Sequence, residues 1–348
     1  PNSLPLCIAK WLTNLLHKIS VNQFIQYSEF FAGLVSGSLI DTTDPPQPHQ
    51  FRAEEFCDTN EFEAIASLVG PYGVKVIDHE LLGYISSNVS KIDEWMKARL
   101  NQRIIQWQDA MDNYDLRGAV ETSHFELVKD INWYLRRGGN NRKVGIEILE
   151  SWTHLISVAT PHLAEDWWKN IGNSDLIAGR KFETPNGLNS EELRILENET
   201  YLRSFLEQGR KVAKIASKHI EGALESAIVH ISRPWRRELA KSAIEYLEEG
   251  NNIKSYAQHL STLSFAHGDN KGEIMNFWGK RMLPQIFKWS DPEKDMITGG
   301  LNEGEVLENA SGFICSELGI SSIVIESGFD DVGRSSAALP LAPAIVYS

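Results

Sequence analysis

Asn132-Trp-Tyr-Leu-Arg-Arg-Gly-Gly139 reads as the end of a helix and the turn after it. Cations in a last turn suit the carbonyl end of the helix dipole, and glycine adopts the left-handed backbone that a helix C-terminus favours. Working back from this stop, the apolar spacing predicts a helix from about Leu116 to Leu135. Before it, Ile92, Trp95, Met96, Leu100, Ile104, Trp107 and Met111 recur at steps of three and four, one face of an amphipathic helix. After it, Val144, Ile148, Trp152, Leu155 and Ile156 mark a third helix. Thr160-Pro161, an N-cap followed by proline at the first helical position, opens a fourth that carries Leu163, Trp167 and Trp168. Short connections predict an antiparallel helical bundle over residues 91–178.

On either side the pattern changes. Residues 179–197 are polar, with a Pro185-Asn-Gly187 turn, and read as a linker. Residues 198–348 read as a small α+β domain. A helix is expected from Glu199 to His219, then a strand over 226–232, helices from Pro234 to about Trp289 and over Glu303–Leu318, and strands at 322–326 and 343–347. Residues 1–90 alternate apolar clusters at helical spacing, broken by Pro45-Pro-Gln-Pro48. The fold class is therefore mainly α with a C-terminal α+β domain.

A net charge of −13 argues against a non-specific nucleic-acid binder, which needs clustered cations. The charge is uneven: residues 1–90 hold 4 basic and 10 acidic side chains, residues 91–348 hold 30 and 37. Any RNA contact in the second part must be focused. The three cysteines, Cys7, Cys57 and Cys315, form neither a disulfide framework nor a metal motif, and no histidine pair has ligand spacing on a helix. No Gly-rich phosphate loop, G-x-S-x-G or H-E-x-x-H occurs, so no catalytic residue, metal or cofactor is assigned. No apolar run is long enough for a membrane helix, and a cytoplasmic protein is expected.

Four stretches in order carry a resemblance. Asp93-Glu-Trp-Met-Lys-Ala-Arg-Leu100 with Ala110-Met-Asp-Asn-Tyr-Asp-Leu-Arg117 resembles the opening of the anticodon-binding bundle of archaeal leucyl-tRNA synthetases. Asn132–Gly139 is similar to a characteristic loop of that family. Thr160-Pro-His-Leu-Ala-Glu-Asp-Trp-Trp168 resembles the P-H-[IL]-A-E-E-L-W helix of the related class I enzymes. Ala337-Ala-Leu-Pro-Leu-Ala-Pro-Ala-Ile-Val-Tyr347 resembles the terminal A-L-P-x-x-P-A-I-Y. Trp167 departs from the usual leucine, and residues 251–300 match loosely.

The resemblance implies an anticodon-binding bundle at 91–178 and a tRNA-contacting domain at 198–348, with tRNA-Leu and the synthetase catalytic domain as partners. The HIGH-like and KMSKS-like motifs and the editing domain of such ligases are not seen. ATP, the family's cofactor, therefore has no site here, and the chain alone is expected to bind tRNA without charging it. Candidate phosphate contacts are Arg136 and Arg137, Arg142 and Lys143, then Arg210, Lys211, Lys214 and Lys218 along one helix. Arg233, Arg236 and Arg237 flank Trp235, an aromatic that can stack on a base. The tryptophans at 133, 152, 167 and 168 are expected in the core.

Upstream, Tyr27-Ser-Glu-Phe30, Pro45–Pro48, Phe56-Cys-Asp58, Leu68-Val-Gly-Pro-Tyr-Gly-Val-Lys75 and Leu81–Val89 resemble the Hem family of Nck-associated proteins. These are helical scaffold subunits of the actin-regulating WAVE complex, whose subunits this resemblance implies as partners. The two resemblances meet near Val89–Ile92, which predicts a joint between unrelated segments. An actin-regulatory scaffold fragment is the alternative function.

Overall fold

The computed structural model describes residues 89–220, 222–266, 271–326 and 334–348. The helical readings before Val89, the Hem-like motifs, Cys7 and Cys57 lie outside them. The chain divides into two compact units between Leu188 and Asn189.

In the first unit, α1 (Lys91–Asp112) starts at Ser90, whose backbone N–H and hydroxyl both donate to the Asp93 carboxylate at 2.8 Å, a capping box. The predicted apolar face is inside: Ile92, Trp95, Met96, Leu100 and Ile104 are buried, while Trp107 and Met111 are half-buried. α1 ends with Tyr114 in a left-handed conformation (φ 57). Its N–H reaches Met111 O and that of Asp115 reaches Ala110 O, a Schellman closure with tyrosine where glycine is usual.

The helix expected over 116–135 is present with a distortion. It runs as α2 (Leu116–Val120), a wide turn at Glu121–Glu126, and α3 (Leu127–Arg136). In that turn the Leu127 N–H bonds Thr122 O rather than Ser123 O, and the freed Ser123 carbonyl accepts from Trp152 Nε1 at 3.0 Å. α3 stops as predicted, with Gly138 left-handed (φ 86), Gly138 N–H on Leu135 O and Gly139 N–H on Tyr134 O.

α4 (Arg142–Ser157) and α5 (Pro161–Asn170) complete this unit. Asp93 pairs with Tyr134, and Arg103 with Asp130 and Glu126, so α1 and α3 run antiparallel. The tryptophans predicted inside are inside: Trp133, Trp152, Trp167 and Trp168 are all buried, and Trp152 meets Trp167 edge-on at 4.9 Å. Asp130, like Asp93, is a buried carboxylate of this core, and it is held by Arg103 at 2.7 Å.

The second unit opens with α6 (Ser190–Ala216). It begins well before Glu199, so the last eight residues of the stretch read as linker are helical. The reason is local: Asn189 caps the Glu191 and Glu192 N–H groups, and Glu192 returns to the Asn189 N–H at 2.9 Å. Then follow β1 (Ser226–His230), α7 (Pro234–Glu248), α8 (Ile253–Leu260), α9 (Lys271–Phe277), α10 (Leu283–Ile286) and α11 (Asp291–Thr298). α12 (Glu303–Asn309) and α13 (Ser311–Leu318) replace the single helix expected over 303–318, because Ala310 leaves helical geometry (φ −106, ψ 7). β2 (Ser322–Glu326) and β3 (Ala344–Tyr347) close a sheet of order β2-β1-β3, with β2 parallel and β3 antiparallel to β1.

One sheet face packs Ala227 and Tyr347 with Ile320, Val212, Ala213, Ala216 and Leu318. Tyr347 donates to Gly209 O at 2.9 Å. A Cβ on Gly209 would sit 3.2 Å from Leu318 and 3.4 Å from that hydroxyl, so the helix keeps glycine where the last strand crosses it. On the opposite face Ile228 and Val324, paired in register, are exposed. Among the described residues no helix is long and apolar enough to cross a membrane.

Candidate nucleic-acid interface

Three cationic groups were expected from sequence, and the fold treats each differently. The first lies on the turn between α3 and α4. Four of the eight residues 136–143 are cations, and no acidic residue occurs between Asp130 and Glu147. Arg136 is exposed, with its guanidinium 4.8 Å over the Trp133 ring. Arg137 is half-exposed as the C-cap of α3. Asn141 caps α4 by accepting from Lys143 N–H at 3.0 Å and Val144 N–H at 3.5 Å, so Arg142 and Lys143 stand at the positive end of a 16-residue helix. Lys143 is exposed, Arg142 half-exposed, and neither has an acidic partner among the described residues. Cations beside a helix N-terminus, on a stretch with no acid of its own, suit phosphate oxygens.

The second group lies along α6 and just past its end. Arg210 is engaged by Glu317 of α13. Lys211, Lys214 and Lys218, at steps of three and four, are exposed and have no acidic partner among the described residues. This is a plain cationic stripe.

The third group is engaged within the protein. Arg236 is buried, donates to Ala338 O at 2.8 Å and lies 4.5 Å from the Phe277 ring and 5.3 Å from Trp235. Burial, with Arg233 beside it, lowers its pKa to about 10, so it stays charged near neutrality. Arg237 is tied to the Glu303 carboxylate and the Leu301 carbonyl. Arg233 pairs with Glu273 at 3.3 Å, and Trp235 is half-buried, edge-on to Phe277 at 5.1 Å. Arg236 and Arg237 are therefore engaged within the fold, with Arg237 also lining a surface cavity.

The partners of that third group include residues that sequence reading missed. Glu303, 2% exposed, gathers Arg237, the Tyr201 hydroxyl at 3.2 Å and the Leu341 N–H at 3.1 Å. With Ala338 on Arg236 and Tyr347 on Gly209, the C-terminal stretch is fastened at three points. A surface cavity of about 530 Å³ beside this network is lined by Glu238, Glu305 and Glu308, an electrostatic surface that repels phosphate. Among the described residues no cluster of His, Cys, Asp and Glu could hold a metal ion.

With this geometry in hand, comparison with known proteins gives the type of module. Residues 93–226 match the anticodon-binding domain of tRNA ligases. The match runs from α1 to the start of β1 and covers both the α3–α4 turn and the α6 stripe. Leucine–tRNA ligase of Methanocaldococcus jannaschii is 30% identical over 270 residues, 76% of this chain and 26% of the relative. That of Methanococcoides burtonii is 30% identical over 273 residues, 74% of the chain and 27% of the relative. The Pyrococcus horikoshii enzyme is 27% identical over 273 residues, 77% and 26%. About three quarters of the chain is thus similar to a portion of these leucine–tRNA ligases, in keeping with the motifs. The chain spans about a quarter of the length of these curated relatives.

Residues 2–133 also match the family of Nck-associated protein 1, in keeping with the Hem-like motifs. Residues 93–133 fall in both matches. In the structure they form α1 to α3 of the bundle, with Trp95, Met96, Leu127 and Ile131 in its core. The ligase relatives cover the larger share of the chain, and the leucyl-tRNA synthetase reading is favoured over the scaffold reading.

Proposed function

We propose that residues 89–348 form a tRNA-docking module of the leucyl-tRNA synthetase type that binds tRNA-Leu through backbone phosphates. The observation that carries this reading is the α3–α4 turn. It lies inside the anticodon-binding match and presents four cations along a stretch without acids, beside a helix N-terminus. The α6 lysines supply a second, weaker contact. Charging with leucine, and the ATP it consumes, belongs to the portion of the ligases that this chain does not span. The cytoplasm is the compartment expected of such a module.

Filter-binding titration of the full chain with tRNA-Leu and with a tRNA that has a short variable arm tests the reading. Tighter binding of tRNA-Leu, weakening steeply as salt rises, is expected. Equal and salt-insensitive binding of the two would overturn it. An aminoacylation assay on the chain alone should give no leucyl-tRNA.

A further inference from the structure

The cationic turn is not free to take any shape, because a buried polar cluster ties it to the first turn of α1. Asp93, 3% exposed, accepts from the Ser90 N–H and hydroxyl at 2.8 Å, from the Tyr134 hydroxyl at 2.6 Å and from Asn141 Nδ2 at 3.3 Å. The Tyr134 hydroxyl in turn accepts from the Asn141 N–H at 3.2 Å. Burial and the Asp93 carboxylate push the Tyr134 phenol well above its ordinary range, so it remains the donor in its bond to Asp93. Gly139 lies flat on the Tyr134 ring, where a Cβ would come within 2.3 Å of it.

Each of these residues does something definite for the cations. Tyr134 sits in the last turn of α3, two residues before Arg136. Asn141 holds Lys143 N–H and Val144 N–H at the start of α4 while its amide reaches Asp93. The Tyr134 hydroxyl joins the two ends of the turn, so Arg136 and Arg137 at one end and Arg142 and Lys143 at the other are fixed with respect to each other. None of Asp93, Tyr134 and Asn141 is exposed, so they act on a ligand only through the turn.

We propose that Tyr134, with Asp93 beneath it, is a positioning residue for the phosphate-binding turn, setting how many phosphates the four cations hold at once. This rests on the tRNA-docking reading above and adds to it the side chains that shape the surface. A fixed set of cations neutralises several phosphates together, and each contact adds close to one unit to the slope of log affinity against log salt. A turn released at one end loses contacts, and the slope records the loss. General destabilisation lowers the folded fraction without altering that slope for the molecules that remain folded.

The experiment compares Tyr134→Phe, which removes one oxygen and keeps the ring under Gly139, with the wild-type full chain. tRNA-Leu affinity is measured from about 50 to 200 mM salt, the range over which phosphate-driven binding changes most. Leu163→Ala, which removes a buried side chain from α5, serves as a control for destabilisation. Tyr134→Phe is expected to weaken binding about tenfold at 150 mM salt and to reduce the slope by about one to two units. Leu163→Ala should lower the melting temperature and leave the slope unchanged. A wild-type slope for Tyr134→Phe, or equal slope changes in the two variants, would overturn the positioning role alone. A wild-type slope for the quadruple variant Arg136→Ala, Arg137→Ala, Arg142→Ala, Lys143→Ala would overturn the docking surface itself, and the positioning role with it.

Discussion

Arg236 lies buried against two aromatic rings with a carbonyl to bond, whereas Arg142 and Lys143 stand at a helix start with no acid among the described residues to pair with. Both groups are short runs rich in arginine, and both adjoin tryptophan. What separates them is what the fold brings up from elsewhere. Around 233–237 it brings Glu303, Glu273, Phe277 and the Ala338 carbonyl, so the charge is consumed inside the protein. Around 136–143 it brings Asp93, whose carboxylate is occupied by Ser90, Tyr134 and Asn141.

The contrast can be tested from its buried side first. Glu303→Ala strands Arg237 and frees the Leu341 N–H, and should cost about 3 kcal/mol in chemical denaturation. If tRNA affinity per folded molecule fell instead of stability, the structural role of the 233–237 cluster would be wrong. The quadruple alanine variant of the α3–α4 turn should do the opposite. It should weaken tRNA-Leu binding about 100-fold at 150 mM salt with the melting temperature nearly unchanged, because none of the side chains removed is buried. Replacing Lys211, Lys214 and Lys218 with alanine should cost about tenfold in affinity by the same assay, since that stripe lacks a helix N-terminus. The smallest effect is expected at Gly138→Ala: at φ 86 an added methyl should cost about 1 kcal/mol of thermal stability. A neutral result there would mean that the turn's backbone is not held as described.

Stability should also respond to pH. His124 is buried and burial lowers its pKa to about 4, against 6.5 for an exposed imidazole. The unfolded chain therefore takes up a proton that the folded one refuses, and stability should fall as pH drops from about 6.5 towards 4. His124→Asn should flatten the melting temperature over that window. An unchanged slope would remove His124 from the acid response.

Much of the fold was legible because the deciding signals are local. The arginines and glycines of 136–139 stop α3, Thr160-Pro161 starts α5, and branched apolar runs become β1, β2 and β3. The early start of α6 was hidden because its first turns are charged and lack apolar spacing, leaving the Asn189–Glu192 capping box as the only clue. The fate of the arginines was not legible for a different reason. Arg236 and Ala338 are 102 residues apart, as are Tyr201 and Glu303, and no periodicity along the chain announces such a meeting. Residue type identified the cations; only tertiary contacts decided which of them face outward.

The wide turn at Glu121–Glu126 has a consequence for the far end of the same helical run. It inserts a fraction of a rotation between α2 and α3, so it sets the azimuth of everything that follows it. With this phase, Asp130 faces Arg103 and Tyr134 faces Asp93. Were Glu121–Glu126 to tighten into regular α-helix with no residue removed, α3 would rotate by up to about 100 degrees. Asp130 and Tyr134 would then leave their partners, and the four cations would swing off the side of the bundle they now occupy. A single extra residue, pinned by the Trp152 indole, thus works as a dial setting for a surface two to three helical turns away.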